Sequence, residues 1–181
     1  MTAYIFSTGA SGTHFLASII DSYTDHEAFH EPRRFTLPLP TPTVVINGFL
    51  RELYPTLEGT HGVILRDPRQ VMLSFFNRRK GKLDPGYPAH LQGVLTTVDQ
   101  WVETGCHKIY FKEMVSERGR LMQWLYHLGV GITKPIPKEI MATKVNHNGR
   151  GYAASYEDLP EGLRADLELK CGWYIEKYFG D

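Results

Sequence analysis

A short hydrophobic run that stops abruptly at a glycine-rich turn constrains this chain most. Tyr4-Ile5-Phe6 leads into Ser7-Thr8-Gly9-Ala10-Ser11-Gly12-Thr13-His14, after which Phe15, Leu16, Ile19 and Ile20 recur at helical spacing. The order is strand, tight turn, helix. A strand that runs straight into a helix crosses over to its next partner and lies parallel to it, so this opening selects an α/β architecture. The pattern recurs at Gly62-Val63-Ile64-Leu65-Arg66, a strand followed by Asp67 and Pro68. These two suit a helix N-cap and first helical position. Val71, Met72, Phe75 and Phe76 supply the apolar face of that helix.

Further strands are expected at His26 to His30, Val44 to Ile46 and Lys108 to Lys112. Helices are expected at Leu50 to Leu57, at Leu91 to Glu103, through Leu121, Trp124, Leu125 and Leu128 up to Gly129, and from Leu159 to Tyr178. Proline and glycine punctuate loops over Pro32 to Thr43, Lys80 to His90 and Thr133 to Gly151. The expectation is one domain over residues 1–181, a three-layer sandwich with a central, mostly parallel sheet flanked by helices.

Composition narrows the function. Hydrophobic residues are 42% and charged residues 22% of the chain, and the formal net charge is +0. A general grip on nucleic acid needs a basic excess, so no nucleic-acid partner is expected. Cys106 and Cys171 lie far apart and form no metal-ligand pair, so no metal site is expected either. The first residues carry no basic leader, and no apolar run is long enough to span a bilayer, which points to a cytoplasmic protein. Trp101, Trp124 and Trp173 fall within helical patterns and read as core.

Two segments carry anion chemistry. Gly9, Ser11, Gly12, Thr13 and His14 occupy the turn between strand and helix. Glycine lets the backbone turn tightly, and N–H groups at a helix start converge on an anion with the helix dipole behind them. No lysine follows Gly12, so this is not the loop of a Walker-type nucleotide site. Arg66 ends the second strong strand, with Ser74 and Arg78 on the helix beyond it. Ser74 lies two turns past Asp67, about 10 Å along, so Arg66 and Ser74 can approach one anion. Arginine is suited to forked recognition of phosphate.

In this order the two segments resemble the sulfotransferase family. Ser11-Gly12-Thr13 is similar to its 5′-phosphosulfate loop, and Arg66-Asp67-Pro68-Arg69 with Ser74 and Arg78 matches its 3′-phosphate motif position for position. Tyr110-Phe111-Lys112-Glu113-Met114 resembles its following strand end, with Lys112 departing. Leu128-Gly129-Val130 and the final helix into Tyr178-Phe179-Gly180 also fit, so the likeness spans nearly the whole chain. Arg150 and Gly151 sit where the family has a basic-glycine segment over the 3′-phosphate. The resemblance implies a P-loop-like α/β fold and transfer of a sulfuryl group from 3′-phosphoadenosine 5′-phosphosulfate (PAPS) to a hydroxyl or amine of an acceptor. The product nucleotide is adenosine 3′,5′-bisphosphate (PAP), and a small molecule or carbohydrate is the expected acceptor. One position departs: the family's cation before Ser-Gly-Thr is Ala10 here.

His30-Glu31-Pro32-Arg33-Arg34 resembles the segment after the second strand in carbohydrate-type members, where the glutamate is the base. By that likeness Glu31 takes the acceptor proton, with His14 and His30 as alternative bases and Arg33 and Arg34 as acceptor ligands. Two other readings stay open. A P-loop kinase or NTPase would use Asp67 on magnesium, and Ala10 keeps alive a non-catalytic adenosine-bisphosphate-binding module.

Overall fold

The computed structural model describes residues 1–8, 12–30, 42–46, 58–141 and 152–180. Among them five strands form one sheet in the order β2-β3-β1-β4-β5, and every pairing is parallel. The strands are β1 (Thr2–Ser7), β2 (Glu27–His30), β3 (Thr43–Ile46), β4 (Thr60–Leu65) and β5 (His107–Tyr110). Helix α1 (Thr13–Tyr23) joins β1 to β2, while α2 (Pro68–Arg78) and α3 (Tyr87–Glu103) lie between β4 and β5. After β5 come α4 (Phe111–Ser116), α5 (Arg118–His127), α6 (Lys138–Met141) and α7 (Glu161–Phe179).

The strands alternate their side chains between two cores, the expected three-layer arrangement. Ala3, Ile5, Val44, Ile46, Ile64 and Ile109 face the layer of α1, α4 and α5, where Leu16, Ile20, Leu121 and Leu125 cover them. Tyr4, Phe6, Val45, Val63 and Leu65 face α2, α3 and α7, meeting Met72, Leu95, Trp101 and Tyr174. Burial on both sides is why these strands read as unbroken apolar runs and not as alternating ones.

Three boundaries differ from the sequence reading. The strand expected to reach Lys112 ends at Tyr110, because Tyr110 and Glu113 form a capping box that starts α4 at Phe111. Helix α3 begins at Tyr87, inside the expected loop, since Pro88 is tolerated in a first turn where its missing N–H costs nothing. Short α6 occupies part of the expected loop from Thr133. Trp101 and Trp124 are core, but Trp173 is 38% exposed on α7. The expected helix Leu50 to Leu57 lies outside the described residues. No helix among the described residues is long and apolar enough to cross a membrane.

One side chain ties the segment before α7 to α2. Asn77 near the end of α2 donates from Nδ2 to the Ala153 carbonyl at 2.9 Å, and its Oδ1 accepts from the N–H groups of Tyr152 and Ala153 at 2.6 and 2.9 Å. Ala153 is buried, so its N–H and carbonyl have little access to water, whereas Tyr152 is exposed. Asn77→Ala is expected to lower unfolding free energy by about 1–3 kcal/mol, the cost of stranding partly buried backbone groups. Urea denaturation checks this; a variant as stable as the wild type would mean the clamp carries no stability.

Candidate functional site

Parallel pairing puts the carboxyl ends of all five strands on one edge, and in open α/β sheets ligands bind outside that edge where the strand order reverses. Here β1 lies in the middle, with β3 on one side and β4 on the other. The end of β1 is therefore flanked by the ends of β3 and β4, with β2 and β5 outside them.

Gly12 precedes α1 in the left-handed region at φ 69°, where a side chain is strained. A Cβ there would also lie 2.9 Å from Cε2 of Phe111 and 3.0 Å from Cε of Met114. The first helical bond runs from the Leu16 N–H to the Gly12 carbonyl at 3.0 Å. The N–H groups of Thr13, His14 and Phe15 thus have no partner within the helix. No side chain among the described residues caps this end, and its first turn holds no acidic residue. Thr13 is 5% exposed, and its Oγ1 shares a hydrogen bond of 2.8 Å with Nε2 of His30 at the end of β2. The exposed His14 ring sits 4.1 Å from the His30 ring. His14, His30 and Thr13, read separately from the sequence, are thus brought together.

Arg66 follows β4 on the other side of β1. Its guanidinium lies over the Phe111 ring at 4.1 Å, and its Nε is buried without a hydrogen-bond partner. The adjacent acid does not neutralise it. Asp67 caps α2 by accepting from the Arg69 N–H at 2.9 Å and grips the Arg69 guanidinium through both carboxylate oxygens. Burial, and after it the like charge of Arg78, lowers Arg66 to about 10, against smaller opposing effects of Asp67 and Tyr87. Burial also raises the Tyr87 hydroxyl, with Arg78 and Arg66 pulling the other way. Ser74 is half-buried on α2 and four residues before Arg78, so the two share a helix face.

The arrangement gives two sets of donors around one ring. Phe111 lies against the Gly12 position and carries the Arg66 guanidinium over its ring. The sequence reading missed Phe111 as a site residue; the Tyr110/Glu113 capping spacing is the signal that would have placed it. A second orphan group lies at the same edge, since Oγ of Ser7, the last residue of β1, is buried without a partner. Beyond Arg78, the α2–α3 turn and the start of α7 border a cleft of about 400 Å³ lined by Phe76, Leu83, Pro85 and Leu163 among others. Gly9, Ser11, Glu31, Arg33, Arg34, Arg150 and Gly151 lie outside the described residues. No protein-family model and no curated protein sequence matches this chain.

A partly buried cation whose nearest acid is engaged elsewhere costs the fold some stability. The sign follows from the lowered value of Arg66: the charged form is disfavoured in the folded state, fully so below pH 10, and the penalty lifts as pH rises from about 10 toward the usual 12.5. Arg66→Met, which keeps the packing on Phe111, is expected to raise ligand-free stability by about 1–3 kcal/mol at pH 7. Urea unfolding measures it, and a loss of stability would mean that the guanidinium supports the fold.

Proposed function

We propose that this chain is a PAPS-dependent sulfotransferase. The observation that supports the reading best is the half-buried Arg66 guanidinium, whose Nε is buried without a hydrogen-bond partner and whose nearest acid, Asp67, is held by Arg69. Such a site calls for an anion of fixed position. The open start of α1, with Gly12 and Thr13, calls for a second. PAP and its sulfated precursor carry two anionic groups on one adenosine, which matches two donor sets.

In this reading Gly9, Ser11, Gly12, Thr13 and His14 hold the 5′-phosphosulfate end. Arg66 and Ser74, with Arg78 and the basic-glycine pair Arg150 and Gly151, hold the 3′-phosphate. The nucleotide supplies a sulfuryl group and a good leaving phosphate. Glu31 accepts the proton of the acceptor hydroxyl as oxygen attacks sulfur in line and the bond from sulfur to the phosphate oxygen breaks. Positioning and charge stabilisation are the chain's main contributions, as in phosphoryl transfer. Arg33 and Arg34 meet the acceptor, and the cleft past Arg78 is large enough for part of a small molecule or sugar. With both oxygens of Asp67 engaged by Arg69, a magnesium-binding role for that carboxylate, as in a kinase or NTPase, fits less well.

The test is transfer itself. Sugars, phenols and hydroxylated lipids are screened with PAPS, and release of PAP is followed by chromatography. With an accepted substrate, Glu31→Gln is expected to lower turnover about 10²–10⁴-fold while leaving PAP affinity nearly unchanged. Near wild-type turnover in that variant would remove Glu31 as the base. Tight PAP binding with no acceptor ever sulfated would replace the enzyme with a binding module, the reading that Ala10 leaves open.

A further inference from the structure

His30 carries no task in the scheme above, although its geometry beside Thr13 and His14 is built. His30 closes β2, His14 is the second residue of α1, and their rings lie 4.1 Å apart. Nε2 of His30 is 2.8 Å from Oγ1 of Thr13, and Thr13 is 5% exposed, so bulk water is a poor alternative partner for that hydroxyl. A threonine hydroxyl has one proton to give. With a bare Nε2, the hydroxyl donates to the ring and is lost as a donor to anything else. With a proton on Nε2, the ring donates to Oγ1 and the hydroxyl proton is free for an anion at the start of α1.

We propose that His30 is a positioning residue for the nucleotide: it turns the Thr13 hydroxyl into a donor for the phosphosulfate end, and nucleotide binding draws a proton onto the His14–His30 pair. This rests on the nucleotide reading given above. Protonated His30 both fixes the Thr13 hydroxyl and adds a positive charge near the bound anion; the neutral tautomer with a proton on Nε2 does only the first.

The surroundings allow the coupling. The described elements packed on β2 are α1 and β3. Besides His14, α1 brings Asp21, whose Oδ1 accepts from the Ala28 N–H at 2.8 Å, and Tyr23 near its far end. β2 itself brings Glu27 at its opposite end, and β3, Thr43–Ile46, brings no ionisable group. In the turn before β2, Asp25 is bonded to His26. Glu31, next in sequence, lies outside the described residues. An anion at the start of α1 is thus a counter-charge to the imidazole pair. A nearby anion favours the charged form of an imidazole. The comparison is therefore made at pH 6 and pH 8, either side of the range in which histidine as a class changes charge.

Calorimetric titration of PAP in two buffers of different ionisation enthalpy counts the protons taken up. The phosphates of PAP titrate in the same range, so each variant is compared with the wild type under identical conditions. His30→Gln offers an N–H donor at similar reach but cannot titrate. It is expected to recover most of the affinity that His30→Ala loses at pH 8. It should lack the additional gain of about three- to tenfold that the wild type shows on moving to pH 6, and it should take up fewer protons. Thermal unfolding without ligand shows whether each variant folds. Equal affinity of His30→Ala and wild type, or an unchanged pH profile and proton count in His30→Gln, overturns the proposal while leaving the nucleotide reading intact. Failure of the wild type to bind PAP at any pH removes that reading and this inference with it.

Discussion

A guanidinium held away from water needs a compensating charge, and the one nearest to Arg66 in sequence is occupied. Asp67 caps α2 and grips Arg69, so among the described residues the acid nearest to Arg66 is already engaged, and an external anion would add the missing charge. The stack on Phe111 positions it at a cost lower than full exclusion from polar surroundings. The same ring closes against Gly12, where any Cβ would collide with it. One aromatic side chain thus lies against both the arginine and the start of α1.

The sheet makes this possible. Because every pairing is parallel, the ends of β1, β2, β4 and β5 deliver Ser7, His30, Arg66 and Phe111 to one edge. The two apolar cores hold the strands from both faces, so the polar groups at their ends stand on rigid supports. Ser7 Oγ and Arg66 Nε, both buried and unpartnered, lie on neighbouring strands of that edge. Orphan groups of this kind are rare in native interiors, and a bound ligand that supplies the missing partner is one explanation for them.

Much of this was legible in residue order. The buried strands β1 and β4, the helices they launch, the Asp67 cap and the candidate roles of Gly12, Thr13 and Arg66 follow from apolar runs and turn chemistry. Strand order does not, since an apolar run carries no record of its neighbours. Phe111 was hidden because the apolar pattern of Ile109 to Phe111 continues past the point where a capping box turns the chain. The pairing of His30 with Thr13 joins residues from different elements that only the parallel register brings together. Trp173 followed the spacing of a buried helix face, yet α7 leaves it partly in solvent, since regular spacing alone does not say which turns are covered.

The central claim is that Arg66 reads the phosphate that distinguishes PAP from AMP, and equilibrium calorimetry with both nucleotides on wild type and Arg66→Met tests it most directly. The wild type should bind PAP more tightly than AMP by about 2–4 kcal/mol, and Arg66→Met should bind the two nearly alike. Equal affinity of the wild type for PAP and AMP, tighter binding of ATP with Mg²⁺ than of PAP, or a preference for PAP that survives in Arg66→Met would contradict the account.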